Sequence, residues 1–204
     1  MDFSIGDINS MCLDALKEIS NIGSGSAATS LANMLGDKVD MKVPNVEVIE
    51  TQSVVDLFED MEEITTGVYI NFFGDINGTI LTLLDLKSAS VLIKTLLGKE
   101  PDGYNYTEIE QSVIAELGNI MTSGYVNAIS KFSNLKFTVS IPSVAVDMVS
   151  SILSVPAIEY GIDSDKLILI ENMLDIDGEN VNCYFLFMPD MASFGKIFKT
   201  LGVI

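Results

Sequence analysis

The feature that most constrains this chain is a pattern of four residues that occurs twice with the same spacing. An acidic residue or serine is followed by glutamate, asparagine and proline, as [D/S]-x3-E-x2-N-x22-P. The first copy comprises Asp14, Glu18, Asn21 and Pro44, and the second, 98 residues later, comprises Ser112, Glu116, Asn119 and Pro142. The flanks agree as well, since Val46 and Val48 correspond to Val144 and Val146. Three equal gaps in register indicate a tandem duplication that carries a polar constellation with it.

Hydrophobic periodicity predicts a similar order of elements in each half: a helix, strands with a hairpin, and a closing helix. In the first half we predict helices at 8–35 and 87–97, strands at 43–51, 66–73 and 79–84, and a loop or short helix at 56–63. In the second half we predict helices at 108–132, 144–155 and 193–201, and strands at 136–141, 167–174 and 181–188. Asn77-Gly78 and Asp177-Gly178 are expected in the hairpin turns, with Asn77-Gly78 supplying positive φ angles.

The strand connections predict the fold class. Because the strand pairs are joined by hairpins, we expect a largely antiparallel sheet layered with helices, which is an α+β fold. The segment 99–107 is polar and rich in turn residues, so it is the obvious linker between repeats at approximately 1–98 and 108–204. Two halves this small are expected to pack into one domain, 1–204, with pseudo-two-fold symmetry.

The polar residues of each copy are predicted to share one stripe of a helix. At 100° per residue, Glu18 and Asn21 both lie within about 40° of Asp14, and the second helix repeats this arrangement. Core-facing positions are expected at Cys12, Ala15, Leu16 and Ile19 of the first helix and at Ile109, Val113, Leu117 and Ile120 of the second. A solvated helix surface accounts for either copy alone. Asparagine is a poor helix former, however, so its presence in both copies favours a functional role.

The composition excludes several classes of site. The chain has no histidine, which excludes Ser-His-Asp and Cys-His catalysis and histidine-ligated zinc. Its two cysteines, Cys12 and Cys183, form no CxxC pair, which argues against structural zinc or a disulfide framework. A net charge of −18 argues against binding to nucleic acid or to anionic membranes. An acidic N-terminus and the lack of a long apolar run argue against a signal peptide or membrane insertion, so a cytoplasmic location is expected.

Two further sequences imitate ligand-binding motifs. Gly23-Ser24-Gly25-Ser26-Ala27-Ala28 imitates a dinucleotide-binding turn, but a predicted helix precedes it where that turn requires a strand. We interpret these small residues as a site of close helix packing. The segment 175–180 (DIDGEN) imitates the start of a calcium loop but lacks the later ligands, so we interpret it as a hairpin turn.

The doubled pattern, with the local sequences EISNIGSGSAATSL and ELGNIMTSGYVNAI, closely resembles the CheC family of chemotaxis proteins. CheX and the phosphatase-like domain of FliY are relatives of that family. The resemblance covers both halves and the linker. It implies a CheC-like fold and a phosphatase that hydrolyses the aspartyl-phosphate of the response regulator CheY. Residue by residue, it implies one catalytic centre at Glu18 and Asn21 and another at Glu116 and Asn119, with Asp14 and Ser112 in supporting roles.

The resemblance also implies a second partner, the receptor deamidase CheD. Its docking surface is expected on the helix predicted after Pro142, at Val146, Asp147, Met148 and Ser151. No cofactor or metal of the protein's own is expected, because the bound regulator supplies Mg²⁺. The alternative function is an adaptor that binds and regulates CheD, or a flagellar-switch component, with weak phosphatase activity.

Overall fold

The described residues in the computed structural model of this chain are 7–58, 60–160 and 166–204. They form five α-helices, eight β-strands and a 3-10 helix at Thr51–Leu57. The helices are α1 Ser10–Leu35, α2 Leu86–Leu97, α3 Glu108–Ser133, α4 Val149–Tyr160 and α5 Met191–Thr200. The strands are β1 Val39–Lys42, β2 Val46–Glu50, β3 Ile64–Gly74, β4 Gly78–Asp85, β5 Phe137–Val139, β6 Ser143–Met148, β7 Lys166–Ile176 and β8 Glu179–Pro189. Segment 1–6, on which the expectation of no signal peptide partly rests, lies outside the described residues.

The ends of α1 and α3 repeat the spacing found in the sequence. Both helices are 26 residues long, and both their first and their last residues are 98 positions apart. The cap Asn9 accepts a hydrogen bond from the Cys12 amide, and the cap Thr107 accepts one from the Glu110 amide. At the C-terminal end each helix is followed by a residue in the left-handed region, Gly36 with φ 70° after α1 and Asn134 with φ 56° after α3. The duplication therefore specifies where each long helix starts and stops.

The strands form one antiparallel sheet in the order β1-β7-β8-β4-β3-β5, with β2 also on β7 and β6 also on β3. This confirms the predicted α+β class with a largely antiparallel sheet. The first two strands of each half pair with a hairpin strand of the other half: β1 and β2 lie on β7, and β5 and β6 lie on β3. This pairing of strands between the two halves supports our proposal that the two repeats, joined by the linker 99–107, build one domain.

Apolar residues cover both faces of the sheet. On one face, α1, α2, α3 and α5 enclose the larger core, which includes Leu16, Leu92, Leu117 and Phe198. On the other face, the 3-10 helix and α4 contribute Val54 and Ile152 to a smaller core. The two long helices, α1 and α3, therefore share one face of the sheet.

Among the described residues, no helix is long and apolar enough to cross a membrane.

The structure corrects the prediction of a helix at 144–155. Residues Ser143–Met148 form β6, and α4 begins only at Val149. The segment has the alternating β-branched residues of a strand, and β3 provides the neighbour that pairs with it, with Val146 opposite Thr66. The strand predicted at 43–51 is shorter in the structure, where β2 spans Val46–Glu50, and β1, which ends before Pro44, was not predicted.

The turn between β3 and β4 also differs from expectation. Neither Asn77 nor Gly78 has a positive φ, whereas Gly74 has φ 142°. Gly78 is required for another reason: a Cβ atom there would lie 2.5 Å from the Met188 carbonyl oxygen. Asp177 and Gly178 form the turn between β7 and β8, as predicted, and both have positive φ.

Helices α1 and α3 approach each other closely at glycines. A Cβ atom at Gly23 would lie 3.0 Å from the Gly124 carbonyl oxygen, and one at Gly124 would lie 2.6 Å from the Gly23 carbonyl oxygen. This confirms the predicted close packing of helices at Gly23, and Ala27 lies at the same contact, 3.0 Å from a Cβ atom at Gly124. Gly25, two residues from Gly23, has no neighbouring atom within 4 Å of a Cβ position.

We expect Gly124→Ala to lower the free energy of unfolding by about 1–2 kcal/mol, because the added methyl group forces two backbones apart. The matched change Gly25→Ala should raise it by about 0.5–1 kcal/mol, since it only removes glycine from an exposed helical position. Urea unfolding of both variants tests this prediction. Equal stabilisation by the two alanines would contradict the close approach of the helices.

Candidate active site

The first acid–amide pair lies on the solvent side of α1. Asp14, Glu18 and Asn21 are exposed, while Cys12, Leu16 and Ile19 on the opposite side are buried in the larger core. This is the arrangement that the helical projection predicts. Burial of the apolar side holds the helix in place, so the polar stripe projects outward in a fixed direction.

The second pair lies in the same way on α3. Ser112 and Glu116 are exposed and Asn119 is half-buried. Val113 and Leu117 are buried, as expected. Ile109 is 65% exposed, so its predicted place in the core is wrong. Its projection, about 60° from Ser112, places it beside the polar stripe rather than opposite it.

The four side chains of the two pairs have no internal partners. In the ranges that the structure describes, no hydrogen bond or ion pair occupies the carboxylates of Glu18 and Glu116 or the side-chain amides of Asn21 and Asn119. Their donors and acceptors therefore face solvent or a binding partner. A side-chain amide with no partner can orient a water molecule, and a carboxylate with no partner can bind a cation.

The surroundings of the two pairs differ in detail. Next to Glu18, the Lys17 Nζ donates to the Pro44 carbonyl oxygen at 3.0 Å, whereas the equivalent of Lys17 in the second copy is Ala115. The Ser112 hydroxyl donates to the Glu108 carbonyl oxygen of its own helix at 2.8 Å. The repeated prolines Pro44 and Pro142 lie just before β2 and β6, so each copy of the pattern ends at the entry to a strand.

A buried polar contact ties α3 to the sheet beneath it. The Tyr125 hydroxyl donates to Asn172 Oδ1, and Asn172 Nδ2 donates to the Ile170 carbonyl oxygen at 3.1 Å. Burial raises the pKa of Tyr125 well above its usual range, so the hydroxyl keeps its proton. Tyr125 also stacks edge-on against Phe185, with ring centroids 4.8 Å apart. These contacts fix the helix that carries Glu116 and Asn119.

The residues predicted to bind CheD do not form a helical surface. Val146, Asp147 and Met148 lie on β6, where successive side chains alternate between the two faces of the sheet. Val146 packs against the larger core, and Asp147 and Met148 are exposed. Ser151 lies on α4 and is half-buried. Binding of CheD stays a prediction, without the helix on which it was based.

A groove on the surface lies away from both pairs. It has a volume of about 690 Å³ and lies between α2 and the turn of β7 and β8, lined by residues that include Lys87, Lys94 and Asp177. No group of three or more acidic or cysteine side chains that could hold a metal ion is found in the described part of the chain. Both pairs lie outside this groove, on the solvent side of α1 and α3.

Comparison with known proteins agrees with the duplicated site. The model of the CheC-like family matches residues 11–48 and 109–146, which are the two segments that carry the pattern. The chain is 26% identical to the CheY-P phosphatase CheC of Bacillus subtilis, over 93% of each chain. It is 29% identical to the flagellar motor switch phosphatase FliY of the same organism, over 69% of this chain but only 37% of FliY. The crystal structure of FliY from Thermotoga maritima has the same fold, with a TM-score of 0.77, 21% identity and coverage of 96% and 98% of the two chains.

We expect Asn21→Ala to raise the free energy of unfolding by about 0.5 kcal/mol, because the exposed amide has no partner and alanine is the better helix former. Asn33→Ala, at another exposed position of α1, is the matched control and should have a similar effect. Urea unfolding measures both. A loss of more than about 1 kcal/mol for Asn21→Ala alone would show that the amide supports the fold.

Proposed function

The chain belongs to the CheC-like family, and on this premise we propose that it hydrolyses the aspartyl-phosphate of the response regulator CheY. The observation that carries the proposal is the unpartnered Glu–Asn pair on the long helix of each half, in which Glu18, Asn21 and Glu116 are exposed and Asn119 is half-buried. The similarity to proteins named CheY-P phosphatase and motor switch phosphatase supports the substrate.

Asparagine has the role of positioning the attacking water. Hydrolysis forms a bond between the water oxygen and phosphorus, and it breaks the bond between phosphorus and the aspartyl oxygen. The products are inorganic phosphate and a free aspartate carboxylate, and the proton lost by the water passes to phosphate or solvent. This reaction needs little beyond an in-line water and neutralised charge. The side-chain amide of Asn21 or Asn119 can hold that water, as a glutamine does in GTPases.

Glutamate has the role of docking the helix on the regulator. Glu18 and Glu116 each lie one turn before their asparagine, on the same stripe. An opposite charge in the regulator's active site, the lysine that the family resemblance implies, would pair with this carboxylate and fix the register of the helix. Asp14 and Ser112, one turn earlier, are placed to touch the partner or support the glutamate.

The charge on the phosphoryl group must be neutralised from the partner's side. The regulator's own Mg²⁺ supplies that neutralisation in this proposal, and the residues of this chain contribute the water-holding amide and the docking carboxylate. The chemistry therefore requires neither histidine nor a resident metal. Both pairs are intact, so we propose two working centres in one chain.

We expect Asn21→Ala and Asn119→Ala each to remove the turnover of one centre, and the double variant to lose on the order of 100-fold in kcat. The reason is that the water loses its oriented partner in the transition state while the docking contacts remain. Release of phosphate from labelled CheY-P measures this, with the double change Asn33→Ala and Asn127→Ala as the control on the same helices. Full activity of the Asn21/Asn119 double variant would refute the water-positioning role.

We expect Glu18→Gln and Glu116→Gln to act mainly on binding. In each variant one centre is inactivated by its Asn→Ala change, and the glutamate of the other centre is changed to glutamine. Loss of the charge should raise KM for CheY-P and make KM less dependent on salt. Steady-state kinetics at low and high ionic strength test this. A fall in kcat with KM unchanged would assign the carboxylate to the chemical step instead.

A further inference from the structure

The first turn of each site helix carries a large apolar side chain that the fold leaves in solvent. Met11 of α1 is 59% exposed and Ile109 of α3 is 65% exposed. Each is the second residue of its helix, and the two positions are 98 residues apart. Single exposed apolar residues are common on proteins and need no explanation. Among the described residues, however, no other two large exposed apolar side chains are separated by this spacing.

Both side chains lie on the edge of the acid–amide stripe. Met11 projects within about 60° of Asp14 and lies about 10 Å along the axis from Glu18. Ile109 has the same relation to Ser112 and Glu116, because both helices keep one register. A helix face this short is nearly straight, so a partner that contacts Glu18 and Asn21 also reaches Met11.

The fold does not require an apolar residue at these positions. Neither side chain belongs to the larger core or packs against it, and acidic residues are favoured in the first turn by the helix dipole. The neighbours in the two copies have changed chemistry, with Asp14 against Ser112 and Lys17 against Ala115. Apolar character at the repeat position has nevertheless been kept in both helices.

We infer that Met11 and Ile109 are apolar anchors, each packing on the phosphorylated response regulator when the neighbouring Glu–Asn pair enters its active site. This inference rests on the proposed function. An interface of ordinary size buries about 800 Å² on each partner, far more than one acid and one amide supply. Interfaces combine an apolar centre with polar contacts at the rim, and most of the affinity comes from a few such anchors.

The experiment measures each anchor with only one centre active. In the Asn119→Ala background, where only the α1 centre works, Met11→Gln should raise KM for CheY-P about tenfold, with kcat unchanged, because the apolar area is no longer buried. Ile109→Gln in that background is the matched control and should leave KM unchanged. In the Asn21→Ala background, where only the α3 centre works, Ile109→Gln should raise KM about tenfold and Met11→Gln should leave KM unchanged.

A second control uses a methionine on the other face of the sheet. Met173 of β7 is 43% exposed and lies on the same face of the sheet as Leu167 and Leu169 of the smaller core, away from α1 and α3. Met173→Gln should leave KM unchanged in both backgrounds. Circular dichroism and urea unfolding of each variant establish that the chain is folded.

Several outcomes would overturn the inference. They are a KM within twofold of the parent for both anchor variants, an equal effect of both in each background, or a fall in kcat alone. Self-association of the parent chain that Met11→Gln or Ile109→Gln abolishes would assign these side chains to a second copy. If the unmutated chain does not hydrolyse CheY-P at all, the proposed function itself fails, and this result is distinct from the others.

Discussion

Both site helices rest on a sheet that neither half of the chain can build alone. The outer strands of each half pair with the hairpin of the other half, and the two hairpins meet at the centre through β4 and β8. An isolated hairpin is marginal in water, and it gains stability from further strands and from helices that cover it. We therefore expect the two halves to fold together. The exchange of strands places α1 and α3 side by side on one face of the sheet.

The close contact of α1 and α3 then determines what these helices can present. Their small residues face each other at Gly23 and Gly124, and their larger apolar residues enter the core. The remaining stripe of each helix faces solvent, and the repeat places glutamate and asparagine there twice. In the function that we propose, a partner holds the reactive group and the asparagine amide completes the partner's active site.

Much of this architecture could be predicted from local sequence. The caps of α1 and α3, the two hairpins and the exposure of Glu18 and Glu116 follow from periodicity and turn residues within a few positions. The strand β6 could not be found in this way, because an apolar segment such as 144–155 fits helix or strand until β3 pairs with it. The duplication held the missing signal: Val144 and Val146 correspond to Val46 and Val48 of β2. The prediction for Ile109 was wrong because it followed the apolar character of the residue and not its angular position on the helix, which is close to Ser112. The identity of the partner is not encoded in the geometry at all, and it comes from the family.

The most direct test of the central claim is to observe the two asparagine side chains while the regulator binds. In nuclear magnetic resonance spectra of the ¹⁵N-labelled chain, the side-chain amide signals of Asn21 and Asn119 should shift or broaden when phosphorylated CheY is added. The signals of Asn33 and Asn127, exposed on the same helices, should stay in place, and unphosphorylated CheY should have a smaller effect. Unchanged signals from Asn21 and Asn119 under conditions where CheY-P is bound would contradict the account, because the amides would then lie outside the interface.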